Sequence, residues 1–111
     1  MPSDLKICDL PATLERLGGN QDLLREAVQF FHDDVPKLVE RMKNAAAQHD
    51  GAELSRAAHS LRGLVVNFSA DATESAAREV EQIGQSGHLS RAGKAVRRVE
   101  KEIARLTKEL G

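Results

Sequence analysis

His59 is the side chain in this sequence whose setting could hold a chemical group. It lies on the stretch Leu54 to Phe68, where Leu54, Ala58, Leu61, Val65 and Phe68 recur at spacings of four, three, four and three. That is the apolar stripe of an amphipathic helix. At about 100° per residue, His59 falls roughly 160° from the centre of the stripe, so its imidazole is expected on the solvent side. Ser55, Arg56, Arg62 and Gly63 lie one turn away on either side, with Ala52 and Val66 two turns off. Arg62, three positions on, is a cation that can meet an anion at the ring. Gly63, four positions on, removes a side chain that would crowd it, although glycine inside a helix costs about 1 kcal/mol relative to alanine. A lone surface histidine is ordinarily no more than a solvated one. Ring, cation and gap together are what phosphate held on a histidine would need.

The elements that must position this group can be read along the chain. Residues 1–8 form a loose lead-in. Asp9 can cap a short helix edged by Leu10, Leu14 and Leu17, with Pro11 tolerated in its first turn. Gly18-Gly19 stops it, because glycine takes the left-handed conformation that ends helices. Asn20 caps a long second helix with the stripe Leu24, Ala27/Val28, Phe31, Val35, Leu38, Met42 and Ala45. Pro36 removes one backbone hydrogen bond there and predicts a kink or a short break, and the phase the stripe keeps across it favours a kinked helix. Asp50 and Glu53 read as a reciprocal capping box opening the helix of His59, and Asp71 with Glu74 repeats the pattern for the next one. That fourth helix carries Ala72, Ala76/Ala77, Val80 and Ile83, small enough for close helix packing. A loop is expected at 85–87. The last helix has the cleanest period, with Leu89, Ala92, Val96, Val99, Ile103, Leu106 and Leu110. No strand-like alternation interrupts these patterns. They predict an all-α chain, an antiparallel four-helix bundle with a short extra N-terminal helix.

Bulk properties narrow the function. At 111 residues the chain is expected to form one domain, 1–111, able to fold alone. Three Phe and no Tyr or Trp argue against base-stacking platforms, and a net charge of −1 gives no overall pull toward nucleic acid or anionic lipid. The single Cys8 rules out an internal disulfide and fits a reducing compartment, so a cytoplasmic location is expected. No apolar run is long enough to span a bilayer, and no signal-peptide core is present. His32, His49, His59 and His88 show no i, i+4 pairing, and His32-Asp33-Asp34 splay around their helix, so no metal site is expected. The last 25 residues carry seven basic side chains against three glutamates, interleaved as in a solvated helix face with i, i+4 pairs. No Gly-rich phosphate loop, nucleophile elbow or two-carboxylate pattern appears. Such a chain should receive phosphate rather than generate it.

Ala58-His59-Ser60-Leu61-Arg62-Gly63 resembles the Ala-His-x-Leu-Lys-Gly signature of histidine phosphotransfer (HPt) domains of bacterial phosphorelays. The likeness runs from about residue 9 to 84. Leu14-Glu-Arg-Leu-Gly-Gly-Asn20 is similar to their Leu-x-x-Leu-Gly-Gly-Asp segment, and Phe30-Phe31 with Pro36 to their second helix. Ala45 to Asp50 is similar to the end of that helix, Asn67-Phe68-Ser69-Ala70 to Asn-Phe-Gly-Ala, and Val80-Glu81 to a Leu-Glu pair. The closing helix matches in period alone. Arg62 stands in place of the usual lysine, Ser69 in place of the usual glycine, and Leu64 and Val65 where small residues are common.

The resemblance implies a phosphocarrier rather than an enzyme. His59 would accept a phosphoryl group from the aspartyl phosphate of one receiver domain and pass it to another, in a relay fed by a hybrid sensor histidine kinase. It further implies that the chain needs no cofactor of its own, the Mg²⁺ and acidic pocket belonging to the receiver. Arg62, with Arg56, would offset phosphohistidine charge. Gly63 and Ala52 would leave room for the receiver, Ser55 would lie at the docking face, and Val66 would add apolar contact. A monomer is expected. Two other readings stay open at this stage. One is a helical interaction module that docks without being phosphorylated; the other is the phosphoacceptor domain of a chemotaxis-type histidine kinase.

Overall fold

The computed structural model describes residues 5–111. Among these, helices α2 (Gln21–Ala47), α3 (Gly51–Val65), α4 (Asp71–Ser86) and α5 (Ala92–Leu110) form the bundle, and α1 (Leu10–Arg16) lies at one end. Short links join them. Residues Val66–Phe68 and Leu89–Arg91 are single 3₁₀ turns, and no strand occurs among the described residues. Each helix from α2 onward packs on the next, and α5 returns to α2, so the order closes into an antiparallel four-helix bundle. The long dimension, 43 Å, is close to the length of α2, because 27 residues at 1.5 Å rise span about 40 Å.

The predicted stripes are the core. Phe31, Val35, Leu38, Met42 and Ala45 of α2 are buried in phase on both sides of Pro36, and the helix runs unbroken through the proline. Its exposed position supplies a reason: the hydrogen bond lost lies on the solvent side, away from the packed stripe. From α3, Leu54, Ala58, Leu61 and Val65 are fully buried, and Phe68 meets Phe31 edge-to-face at 5.9 Å. Val80, Val99 and Leu106 complete the interior from α4 and α5.

The helix starts divide into two kinds. Asp9, Asn20 and Asp50 cap α1, α2 and α3 with side-chain oxygens that accept first-turn N–H groups. The Asp50 box is one-sided, however. Glu53 sends its carboxylate to Arg41 of α2 at 2.7 and 3.2 Å instead of back to Asp50, so a cap becomes an interhelix tie. At α4 the predicted box is absent. Ala70 is the cap and makes no side-chain bond, Asp71 is already inside the helix, and Glu74 turns elsewhere. The Ala72 N–H is taken up by the Lys6 carbonyl at 2.9 Å, and the Asp9 N–H donates to the Phe68 carbonyl at 2.8 Å. The stretch expected as a loose lead-in therefore helps to seat the turn between α3 and α4. Its residues 5–8 are held, with Ile7 and Cys8 packed against the core, while residues 1–4 lie outside the described residues.

That turn also carries the departure at residue 69. Ser69 has φ 52°, in the left-handed region, where a side chain costs roughly 1–2 kcal/mol. The Arg16 guanidinium offsets part of this, donating to the Ser69 hydroxyl at 3.2 Å and to the Asn67 carbonyl at 2.7 Å. Farther on, α4 continues through Ser86, and Gly87, at φ 80°, ends it. The loop expected at 85–87 is thus mostly helix. Leu89–Arg91 turn as 3₁₀ before α5 begins at Ala92. The charges of α5 pair with Glu79 of α4 (Arg98, 3.1 Å), with Lys43 of α2 (Glu100, 3.7 Å) and at i, i+3 (Arg105 to Glu102, 2.9 Å). They tie helices together more than they pair along one face.

Candidate functional site

The close approach of α3 and α4 shapes the site. A Cβ on Gly84 would stand 2.6 Å from the Gly51 carbonyl oxygen and 2.9 Å from the Ser55 nitrogen, and one on Gly51 would stand 2.6 Å from the Gly84 carbonyl oxygen. Two glycines thus let two backbones nearly touch. Ala57, Ala58, Ala76 and Ala77, all fully buried, continue the small surface inward. With the helices so close, side chains just off the seam reach directly from one to the other.

His59 does so. Its side chain is 71% exposed, yet Nδ1 lies 3.0 Å from Oε2 of Glu81, a glutamate whose side chain is only 11% exposed. An ionised carboxylate can only accept, so the hydrogen resides on Nδ1 and the Nε2 lone pair is free. Nε2 has no hydrogen-bond partner among the described residues. The other Glu81 oxygen accepts from Arg62 NH1 at 2.5 Å, and Arg62 Nε donates to Oε2 of Glu74 at 2.9 Å. Arg78, one turn on from Glu74, donates to that same Oε2 at 2.7 Å. The result is a chain of alternating charge, Arg78–Glu74–Arg62–Glu81, ending on the imidazole. Burial pushes the Glu81 carboxyl up, but hydrogen bonds from Arg62 and His59 outweigh it and hold it below the ordinary glutamate value. Glu74 has the same balance with Arg78 and Arg62. Arg62 is held still more firmly protonated, first by Glu81 and then by Glu74.

The expected neighbours of His59 separate into those that face outward with it and those that do not. Gly63 is exposed, and a Cβ there would meet nothing within 4 Å. No internal packing demands a glycine at this position, and the space above it opens to solvent beside the ring. Val66, 57% exposed, and Ala52 are at the surface too. Ser55 is turned to α4 and half-buried against Gly84. Arg56 is exposed but leans toward Glu53, 3.5 Å away. Arg62 differs most from expectation. Its guanidinium does not stand open for an anion, because two carboxylates of α4 draw it in. His59, Arg62, Gly63, Val66 and Glu74 line one shallow cavity of about 200 Å³.

Glu81 and Glu74 were not singled out for the site by the sequence. The available signal was phase: Ala77, Glu81 and Gly84 are spaced four and three, which places a carboxylate on the small-residue face of α4. His32 lies apart, with Nε2 3.1 Å from the Gly111 carbonyl oxygen. Among the described residues no three His, Cys, Asp or Glu side chains gather as a metal site would require.

An exposed imidazole oriented by a buried carboxylate, on the second helix of a four-helix bundle, is accompanied by a match in sequence. The family model of the Hpt domain covers residues 26–109. The chain belongs to the Hpt domain family. Hpt domains are histidine-containing phosphotransfer modules of two-component signalling, phosphocarriers rather than enzymes, and they work with receiver domains and histidine kinases. Among the curated proteins and among the solved structures, none matches this Hpt domain significantly. No helix among its described residues is long and apolar enough to cross a membrane.

Proposed function

We propose that this Hpt domain relays a phosphoryl group between receiver-domain aspartates through Nε2 of His59. The observation that carries the reading is the bond from His59 Nδ1 to the buried Glu81 at 3.0 Å, which leaves Nε2 open on an exposed ring. In the uptake step the Nε2 lone pair forms a bond to phosphorus while the acyl O–P bond of the receiver's aspartyl phosphate breaks. The electron pair leaves with the receiver carboxylate, and Nδ1 keeps its proton. The ring gains positive character as the N–P bond forms, and Glu81, already ionised, stabilises it there. Passing the group on is the reverse of this step with a second receiver.

Phosphoryl transfer asks mainly for in-line positioning and charge neutralisation. The open space over Gly63 and the apolar surface of Val66 favour approach of a partner to the ring. At the site, both Glu81 oxygens are already taken by Arg62 and His59. In this reading Mg²⁺ belongs to the receiver. The domain acts as a cytoplasmic monomer, supplied by a hybrid sensor histidine kinase.

The test is to mix the chain with a phosphorylated receiver and follow acid-labile phosphate. His59→Gln is expected to abolish uptake while shifting the thermal midpoint little, because the side chain is exposed. Uptake by His59→Gln, or phosphate found on His32, His49 or His88, would sink the assignment.

A further inference from the structure

Glu74 takes no part in the transfer just described, yet it lines the same cavity as His59, Gly63 and Val66. One of its oxygens, Oε2, holds two arginines, Arg62 through Nε at 2.9 Å and Arg78 through NH2 at 2.7 Å. The arginines are not equivalent. Arg78 is on the same helix, and its side chain is 53% exposed. Arg62 comes from α3, and its side chain is 29% exposed. Arg62 NH1 is committed to Glu81, while NH2 has no partner among the described residues.

A phosphoryl group on Nε2 would bring a charge of about −1.5 to −2 to this neighbourhood. Glu74 opposes that state in two ways. Its carboxylate repels the added negative charge, and it occupies the Nε edge of Arg62, the arginine that shares the cavity with the ring. Arg78 makes exchange feasible, because it already sits on the oxygen that Arg62 would leave. We propose that Glu74 is a positioning residue which sets the balance between free and phosphorylated His59 by competing with the phosphoryl group for Arg62. When His59 is phosphorylated, Arg62 turns its Nε edge from Glu74 to the phosphoryl oxygens, and Arg78 keeps Glu74 neutralised. The inference rests on His59 being the phosphoacceptor, and it assigns Arg62 one partner in each state.

The experiment needs no receiver. The full chain is phosphorylated with phosphoramidate, whose P–N bond breaks with release of ammonia as the bond to Nε2 forms. The phosphorylated fraction at fixed phosphoramidate and ammonia is read by phosphorus NMR. The Arg62 Nε–H resonance is followed alongside. Glu74→Gln, which keeps the shape and removes the charge, is expected to raise the ratio of phosphorylated to free His59 about two- to fivefold, the range of a partly exposed charge pair. In an Arg62→Ala background the same substitution is expected to lose at least half of that gain, and in the unsubstituted chain the Arg62 resonance is expected to move on phosphorylation. An equal gain in both backgrounds would reduce Glu74 to plain repulsion and overturn the competition. An unchanged or lowered ratio, or an Arg62 resonance that stays put on a phosphorylated chain, would also overturn it. Absence of phosphate from His59 itself would instead remove the functional reading on which the proposal rests.

Discussion

At the scale of single residues, the proposed transfer depends on which ring nitrogen of His59 carries hydrogen, and Glu81 sets that. A buried carboxylate at 3.0 Å from Nδ1 fixes tautomer and ring orientation together. Glu81→Ala is therefore expected to shift the ring toward the Nε2–H tautomer, visible by nitrogen NMR of the unphosphorylated chain. It should slow phosphoryl uptake from a receiver about tenfold, the effect of losing a charge-assisted hydrogen bond of roughly 1.5 kcal/mol. Glu81→Gln, which keeps an acceptor but no charge, should fall between. Wild-type uptake by Glu81→Ala would show that the ring needs no orienting partner. Arg62 is a second lesson at this scale. Spacing put it beside the ring, but the strongest fields in reach come from two carboxylates on the neighbouring helix, and a forked guanidinium bridges two acceptors at once.

At the scale of elements, glycines on the paired helices serve opposite ends. Gly84 is where α4 presses on α3, and any side chain there would run into the Gly51 carbonyl and the Ser55 nitrogen. Gly63 faces open space. Alanine should thus have opposite effects at the two positions. Gly63→Ala is expected to stabilise the domain by up to about 1 kcal/mol through helix propensity. Gly84→Ala is expected to destabilise it by roughly 1–3 kcal/mol, because backbone must move to admit the methyl group. Urea melts of the two variants settle the matter, and a Gly84→Ala variant as stable as the parent would mean that the helices separate at little cost. Separation would also lengthen the reach from His59 to Glu81, so Gly84 links packing to the state of the ring.

For the molecule as a whole, the charge chain on α3 and α4 couples stability to pH. Glu81 and Glu74 titrate below their ordinary values in the fold, so at acid pH the unfolded chain binds more protons than the folded one. Their contribution is complete above the unfolded glutamate value of about 4.3, and it is lost as pH falls through the depressed folded values. Between pH 7 and 5 these two groups should leave the thermal midpoint unchanged. Below about pH 4.3 the midpoint should fall, and it should fall less steeply in a Glu74→Gln, Glu81→Gln double variant. Parallel curves for parent and double variant would show that other carboxylates, such as Asp9 and Glu53, govern the acid limb.

The sequence by itself determined what depends on neighbours within a turn or two. The stripes of α2 to α5, the caps at Asp9, Asn20 and Asp50, the stop at Gly18-Gly19 and the outward direction of His59 follow from period and local hydrogen bonding. The unbroken course of α2 through Pro36 was legible too, because the stripe held its phase. Only the tertiary structure decided what lies 12 to 33 residues away along the chain but alongside in space: Glu81 under His59, Glu74 beside Arg62 and Gly84 against Gly51. Glu74 shows the reason. Read locally, Glu74 is a first-turn acid suited to a cap, but the Asp71 N–H it would reach donates to the Ser69 carbonyl and Ala70 occupies the cap position. Its carboxylate is left to the arginines that packing delivers. Local rules fix which groups a helix must satisfy, whereas the partner that satisfies them is chosen by whichever helix arrives alongside.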